Sequence, residues 1–113
     1  MAEISLRIDL GEEHRFGPGK ARLLEMIRET GSISAAGRAL GMSYRRAWLL
    51  TDALNAMFGQ PLVERQHGGA KGGGARVTPQ GLATLEAYRR IEAAAEAALE
   101  KERKLFKKAR KGG

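Results

Sequence analysis

The stretch from Gly31 to Asn55, GSISAAGRALGMSYRRAWLLTDALN, decides the fold. It reads as two short helices joined by a sharp turn. Ser32 caps the first, its hydroxyl accepting a hydrogen bond from an N–H group that has no partner inside the helix. Ile33, Ala36, Ala39 and Leu40 recur at helical spacing, and Ala35, Ala36 and Gly37 are small where a second helix has to cross closely. Gly41 stands where a chain leaving a helix often turns to positive φ, a conformation glycine adopts more easily than a residue with a Cβ. Ser43 caps the second helix, which runs from Tyr44 to about Phe58 and turns Ala47, Leu50, Leu54 and Met57 or Phe58 inward. The pattern is that of a helix-turn-helix over residues 32–58, whose second helix, 43–58, offers its first residues to the DNA major groove.

On the N-terminal side, Ile4, Leu6, Ile8 and Leu10 alternate with Ser5, Arg7 and Asp9, which predicts a half-buried strand over residues 3–10. Gly11 to Gly17 is a turn-rich connection in which Phe16 is the only large apolar group. Pro18 suits a first helical turn because its missing N–H would have no partner there. Ala21, Leu24, Ile27 and Arg28 then follow at helical spacing, widened by Leu23 and Met26, until Gly31 ends the helix.

On the C-terminal side the period changes. Pro61–Arg65, PLVER, reads as a short strand and Arg76–Thr78 as its antiparallel partner, with QHGGAKGGGA and its five glycines between them. A glycine loop between two strands, directly after a helix-turn-helix, predicts a wing over residues 61–78, able to approach a phosphate or enter a minor groove. A nucleotide-cradling loop is the competing reading. It fails because the glycines do not match G-x-x-x-x-G-K-[ST], Lys71 precedes the glycine triplet, and no strand–loop–helix order surrounds it.

Thr78 and Pro79 open the longest helix, with Leu82, Leu85, Tyr88, Ile91, Ala95 and Ala98 in steps of three or four and Leu99, Leu105 and Phe106 further out. About 30 residues make a rod of about 45 Å, longer than such a domain is wide. The far half of its stripe therefore calls for a partner helix, most simply the same helix of a second subunit. The alternative is a solitary helix, rich in alanine and charge, that frays beyond Leu99. The expected architecture is mainly α with a small β component: a winged helix-turn-helix domain over 1–78 with an N-terminal strand, then a long dimerisation helix with a basic tail over 79–110.

At 113 residues and 42% hydrophobic content the chain suits one domain with a modest core. The absence of cysteine excludes disulfides, thiolate zinc sites and cysteine nucleophiles. No apolar run approaches the roughly 20 residues that span a bilayer, and the N-terminus lacks the apolar core of a signal peptide, so a cytoplasmic location is expected. The net charge of +7 is uneven: residues 1–100 hold 13 basic and 12 acidic side chains, and residues 101–113 hold 7 and 1. That tail is either a solvated end or a binding element. Residues 33–78 add a local excess from Arg38, Arg45, Arg46, Arg65, Lys71 and Arg76 over Asp52 and Glu64, a footprint suited to nucleic acid. His14 and His67 fall in glycine-containing loops without carboxylates at metal-binding spacing, and no nucleophile stands beside a base. No enzyme activity, metal or cofactor is expected.

The DNA-facing candidates are Ser43, Tyr44, Arg45, Arg46 and Trp48 on the second helix, Ser34 on the first, and Arg65, Lys71 and Arg76 on the wing. Arg45 suits a bidentate contact with guanine, and Arg46, about 100° further round the helix, suits a phosphate. Trp48 either packs beneath the wing or against the preceding helix, or touches DNA. Arg65 meets a phosphate or pairs with Glu64 or Glu25. A different class of function stays open: a winged-helix module for protein–protein assembly whose basic tail binds a partner or RNA.

The motifs GSIS (Gly31–Ser34), GMSYRRAW (Gly41–Trp48), LVER (Leu62–Arg65) and HGGAKGGGARVTPQG (His67–Gly81) together resemble the DNA-binding domain of ModE-type molybdate-responsive regulators, related to the LysR-type winged helices. The resemblance spans residues 24–91. It implies a homodimer on a pseudo-palindromic operator in double-stranded DNA, held together by Leu82, Leu85, Tyr88, Ile91, Ala95, Ala98 and Leu99. ModE-type regulators usually continue into a C-terminal oxyanion-binding module, whereas this sequence ends at Gly113 on a basic tail. The DNA-binding role carries over to the matching residues, and no molybdate binding is expected of this chain.

Overall fold

The computed structural model of the chain describes residues 3–66 and 74–111, the last four of these by backbone alone. Eight elements follow one another: β1 (Ile8–Asp9), β2 (Arg15–Phe16), α1 (Pro18–Thr30), α2 (Ile33–Ala39), α3 (Tyr44–Ala56), β3 (Val63–Gln66), β4 (Gly74–Val77) and α4 (Pro79–Lys111). β1 pairs with β2 and β3 with β4, both antiparallel, the second in the register Val63↔Val77 to Gln66↔Gly74. α1, α2 and α3 pack around Leu23, Leu24, Ile27, Ile33, Ala36, Ala47 and Leu54, all buried, and Leu62, Val63 and Ala75 close that core from the hairpin side. This is the three-helix-plus-hairpin layout of a winged helix-turn-helix, with a long helix added.

The α2–α3 pair has the caps read from the sequence. The Ala35 N–H donates to Ser32 Oγ at 3.0 Å and the Arg46 N–H to Ser43 Oγ at 3.1 Å. Gly41 turns the chain between them with φ +71°, and Gly37 is where the helices touch: a Cβ there would lie 2.8 Å from Ala47 Cβ. The inner face of α3 is Ala47, Thr51 and Leu54, with Leu50 half-buried. Thr51 was not anticipated; its hydroxyl donates to Ala47 O at 2.8 Å, so the polar group is satisfied inside its own helix.

Four expectations need correction. The N-terminal strand is paired only at Ile8–Asp9 rather than over 3–10, because residues 4–6 lie against α4: the Ile4 N–H donates to Glu96 Oε2 at 3.2 Å and the Tyr88 hydroxyl to Leu6 O at 2.7 Å. The alternation survives in burial, with Ile4, Leu6 and Ile8 half-buried. The second helix ends at Ala56, short of Phe58. The wing strands are Val63–Gln66 and Gly74–Val77, shifted towards the loop from the two segments expected. Leu85 and Tyr88 are not free for a partner: both are buried in the chain's own core, Tyr88 edge-on to Phe16 with centroids 5.0 Å apart.

Two side chains join the wing to the helices. Asn55 Oδ1 accepts from the Leu62 and Val63 N–H groups, each at 2.9 Å, while its Nδ2 donates to Val63 O at 3.0 Å. Thr78 accepts from the Gly81 N–H and donates to Pro61 O, so one hydroxyl caps α4 and ties it to the chain entering β3. α4 is held against α1 by Arg89, which pairs with both Glu25 and Glu92. Its hydrogen bond with Glu92 is the main reason the guanidinium is pushed above its ordinary range. The helix continues well past this clamp, with the Ile4 N–H still bonded to its Glu96, and the chain measures 57 × 28 × 24 Å.

Candidate nucleic-acid interface

The first turn of α3 is bare. Tyr44, Arg45 and Arg46 are exposed, and neither arginine makes an ion pair or hydrogen bond through its side chain to a described residue; the same holds for Arg38 on α2. Three free guanidinium groups thus stand around the α2–α3 turn, close to the positive end of the α3 dipole. Ser43 has its oxygen engaged as the α3 cap, which leaves its hydroxyl proton to donate outward. Ser34, second residue of α2, is half-buried.

Trp48 lies between the first turn of α3 and the wing. Its ring is half-buried against the core, with Tyr44 5.9 Å away at a 56° tilt and the Arg65 guanidinium 4.2 Å over its face. Its Nε1 is buried and without a hydrogen-bond partner among the described residues. Of the two readings of Trp48, packing beneath the wing is therefore the one its position matches. Arg65 pairs with neither Glu64 nor Glu25: its Nη2 meets Asp52 Oδ1 at 2.9 Å. Glu64 is taken by Arg76, at 3.1 and 3.3 Å from one carboxylate oxygen, and Glu25 by Arg89. The two wing arginines are thus engaged, but in solvent-exposed pairs of the kind worth about 0–1 kcal/mol, weak enough to exchange for a phosphate. Lys71, with His67, lies outside the described residues.

Asp52 and Asn55 belong to this face and were not anticipated. Both sit on the side of α3 turned to the hairpin, and their partners lie seven to thirteen residues further on, beyond the reach of helical spacing. Among the described residues no group of three or more His, Cys, Asp or Glu side chains could hold a metal ion, and no helix is long and apolar enough to cross a membrane.

A tight two-helix crossing, a capped second helix with unpaired arginines, and a hairpin locked beside it define a winged helix-turn-helix domain. The chain belongs to the lysR family of bacterial regulatory helix-turn-helix proteins, whose model matches residues 19–82. It is 45% identical over 85 residues to the molybdenum-pterin-binding protein MopA of Rhodobacter capsulatus, covering 75% of this chain and 32% of that protein. It is 36% identical over 101 residues to the molybdenum transport protein ModE of Azotobacter vinelandii (89% and 37%). To the DNA-binding transcriptional dual regulator ModE of Escherichia coli it is 37% identical over 87 residues (77% and 33%). The resemblance to ModE-type regulators is thus found, and the chain spans about a third of the length of the curated relatives it matches. Among solved structures, the complex of CbnR_DBD with DNA superposes with a TM-score of 0.60 at 28% identity, covering 78% of this chain and 95% of that one.

Proposed function

We propose that the chain is a transcriptional regulator that binds double-stranded DNA as a homodimer, with α3 in the major groove. The observation that carries the reading is the bare first turn of α3. Arg45 and Arg46 are left unpaired on a helix whose other face is locked into the core, while neighbouring arginines are neutralised by carboxylates. Arg45 is assigned to a base edge, Arg46 and Arg38 to phosphates, and the β3–β4 hairpin with Lys71 to the backbone or minor groove. The DNA in the CbnR_DBD complex and the regulator's name borne by the Escherichia coli relative support the same assignment.

The dimer is assigned to α4. Ile91, Leu105 and Phe106 are 46%, 64% and 48% exposed, and Ala95, Ala98 and Leu99 continue the same stripe. Below Ile91 this stripe runs into an apolar cleft of about 310 Å³, lined by Ile8, Leu10, Phe16, Phe58 and Tyr88. Continuity of cleft and stripe along one helix suits the α4 of a second copy, and two-fold pairing calls for a pseudo-palindromic operator. The test is a fluorescence-anisotropy titration of preferred and random duplexes. Arg45→Ala is expected to lose about 1–3 kcal/mol on the preferred site and less on random sequence. Equal losses on both would remove the base-reading role.

A further inference from the structure

A second pocket, of about 300 Å³, opens on the other side of α3 from the wing. Four cationic side chains line it: Arg7 and Arg15 from the N-terminal hairpin, Lys20 from α1 and Arg46 from α3. Met42 and Leu50 form its apolar wall, and the Gly17–Gly19 backbone its floor. A Cβ at Gly19 would meet nothing within 4 Å, so the floor stays open to the cavity. The only carboxylate paired with these cations among the described residues is Asp9, which is 3.5 Å from both Arg7 and Arg15 through a single oxygen. The arrangement leaves an excess of positive charge that no further carboxylate among the described residues pairs with. Lys20 registers this: its Nζ donates to Arg15 O at 2.7 Å, and burial, followed by repulsion from Arg15, holds the ammonium below its ordinary range.

Like charges gathered around a cavity favour an anion within it. Arg7, Arg15 and Lys20 are neighbours in sequence, over residues 7–20, and Arg46 joins them from α3, so the cluster is completed by the tertiary fold. Arg46 joins the pocket to the first turn of α3, where a duplex in the major groove would bring its backbone. We propose that this pocket is a binding site for a tetrahedral phosphoryl oxyanion, filled in the protein–DNA complex by a backbone phosphate flanking the groove that α3 occupies. The assignment to DNA rests on the placement of α3 given above; the anion chemistry of the pocket does not.

Two measurements on the full chain test it. In the first, inorganic phosphate is titrated at constant ionic strength while the backbone amide shifts of Gly17, Gly19 and Lys20 are followed. Saturable shifts in the wild type, lost in Lys20→Gln, are expected. In the second, DNA affinity is measured across a salt series for wild type, Lys20→Gln and Arg15→Gln. Each variant is expected to flatten the plot of log K against log salt by about 0.9, as one lost phosphate contact does, on preferred and random duplexes alike. A flattened slope without saturable shifts still supports DNA as the source, the free anion being too weakly held. Saturable shifts with an unchanged slope keep the anion site and overturn its occupation by DNA. Unchanged shifts and slopes overturn the proposal. The first measurement contains no DNA, so its failure is separate from any failure of the groove-binding role, which Arg45→Ala tests alone. Amide spectra of the variants that overlay the wild type outside the pocket show that the fold is kept.

Discussion

Asp52→Asn isolates what the carboxylate on the hairpin side of α3 does. The change keeps size and shape and removes one charge, leaving Arg65 over Trp48 without its partner at 2.9 Å. The pair is open to solvent, with side chains 41% and 62% exposed, so the loss of folding stability is at most about 1 kcal/mol. That is a fall of a few degrees in melting temperature for a domain of this size. The effect on DNA has the opposite sign. A carboxylate roughly 8 Å from a phosphate repels it by about 0.5 kcal/mol in water. Release of Arg65 adds one charge-assisted contact that the wild type has to exchange for its ion pair. Together these predict a gain in affinity of roughly 3- to 10-fold for random duplex at low salt, and a salt slope steeper by about 0.9. Anisotropy titrations at several salt concentrations read both quantities, and a melting curve reads the stability. A drop in affinity, or an unchanged slope, would refute the view of Asp52 as an internal competitor of phosphate. In that case Arg65 is a fixed strut between wing and helix.

Gly37→Ala should destabilise the fold by about 1–3 kcal/mol, since a Cβ would come within 2.8 Å of Ala47 Cβ at a backbone crossing with no flexible side chain to yield; urea unfolding with an unchanged midpoint would show that the helices slide apart freely. Ile91→Glu combined with Leu99→Glu should convert a dimer to a folded monomer, because Ile91 is 46% exposed and Leu99 is only partly covered within the chain; sedimentation of the unaltered protein as a monomer at micromolar concentration would end the α4 assignment. Asn55→Ala should cost roughly 2–4 kcal/mol, as it strands two N–H groups and a carbonyl between α3 and β3, and Asn55→Asp should rescue it in part by restoring the acceptor. Molybdate at tens of micromolar should change neither melting temperature nor DNA affinity, because the basic pocket beside α3, with Arg7 and Arg15 side chains 61% and 55% exposed, holds a free oxyanion too weakly to fill at that concentration. Calorimetry showing saturable binding near micromolar affinity would contradict that.

The parts of this molecule visible in its sequence are those fixed by neighbours. The caps Ser32 and Ser43, the turn at Gly41 and the small residues of α2 act over three or four positions, and each is found where the periodicity placed it. The wing was legible for a similar reason: five glycines between two short apolar runs leave little else for the chain to do. What depended on distant partners was not. Alternation in residues 4–10 marks one face as apolar but not what covers it, and α4 rather than a sister strand covers the start of that segment. Leu85 and Tyr88 lie on the same stripe as Ile91, yet both are buried in the domain, Tyr88 beneath Phe16 of the hairpin, while Ile91 is left exposed. Arg65 could be narrowed to a phosphate or a carboxylate, but the carboxylate it uses lies thirteen residues back on another element. The cationic pocket has no sequence signature, because Arg7, Arg15 and Lys20 are interspersed with Asp9, Glu12 and Glu13 and the fourth cation, Arg46, comes from α3.

The join between α4 and the domain decides what a dimer of this chain could read. If two copies pair through α4, the spacing of their recognition helices follows from the angle at which α4 leaves the domain. That angle is set within its first four turns: Thr78 ties the N-terminus to Pro61, and Gly81 packs so closely on Leu62 that a Cβ would lie 2.3 Å from its carbonyl oxygen. Arg89 then clamps α4 to Glu25 of α1. Each contact involves an element that also positions α3, directly or through Asn55 and the hairpin. The half-site separation that such a dimer reads would thus be built into the monomer fold before any partner arrives. Arg89→Ala should then broaden tolerance for operators with altered spacing while leaving the affinity of a single half-site unchanged. A set of duplexes differing only in the spacer separates these two effects. An Arg89→Ala variant that keeps the wild-type spacing preference would show that the dimer seam, and not the α1–α4 clamp, carries the ruler.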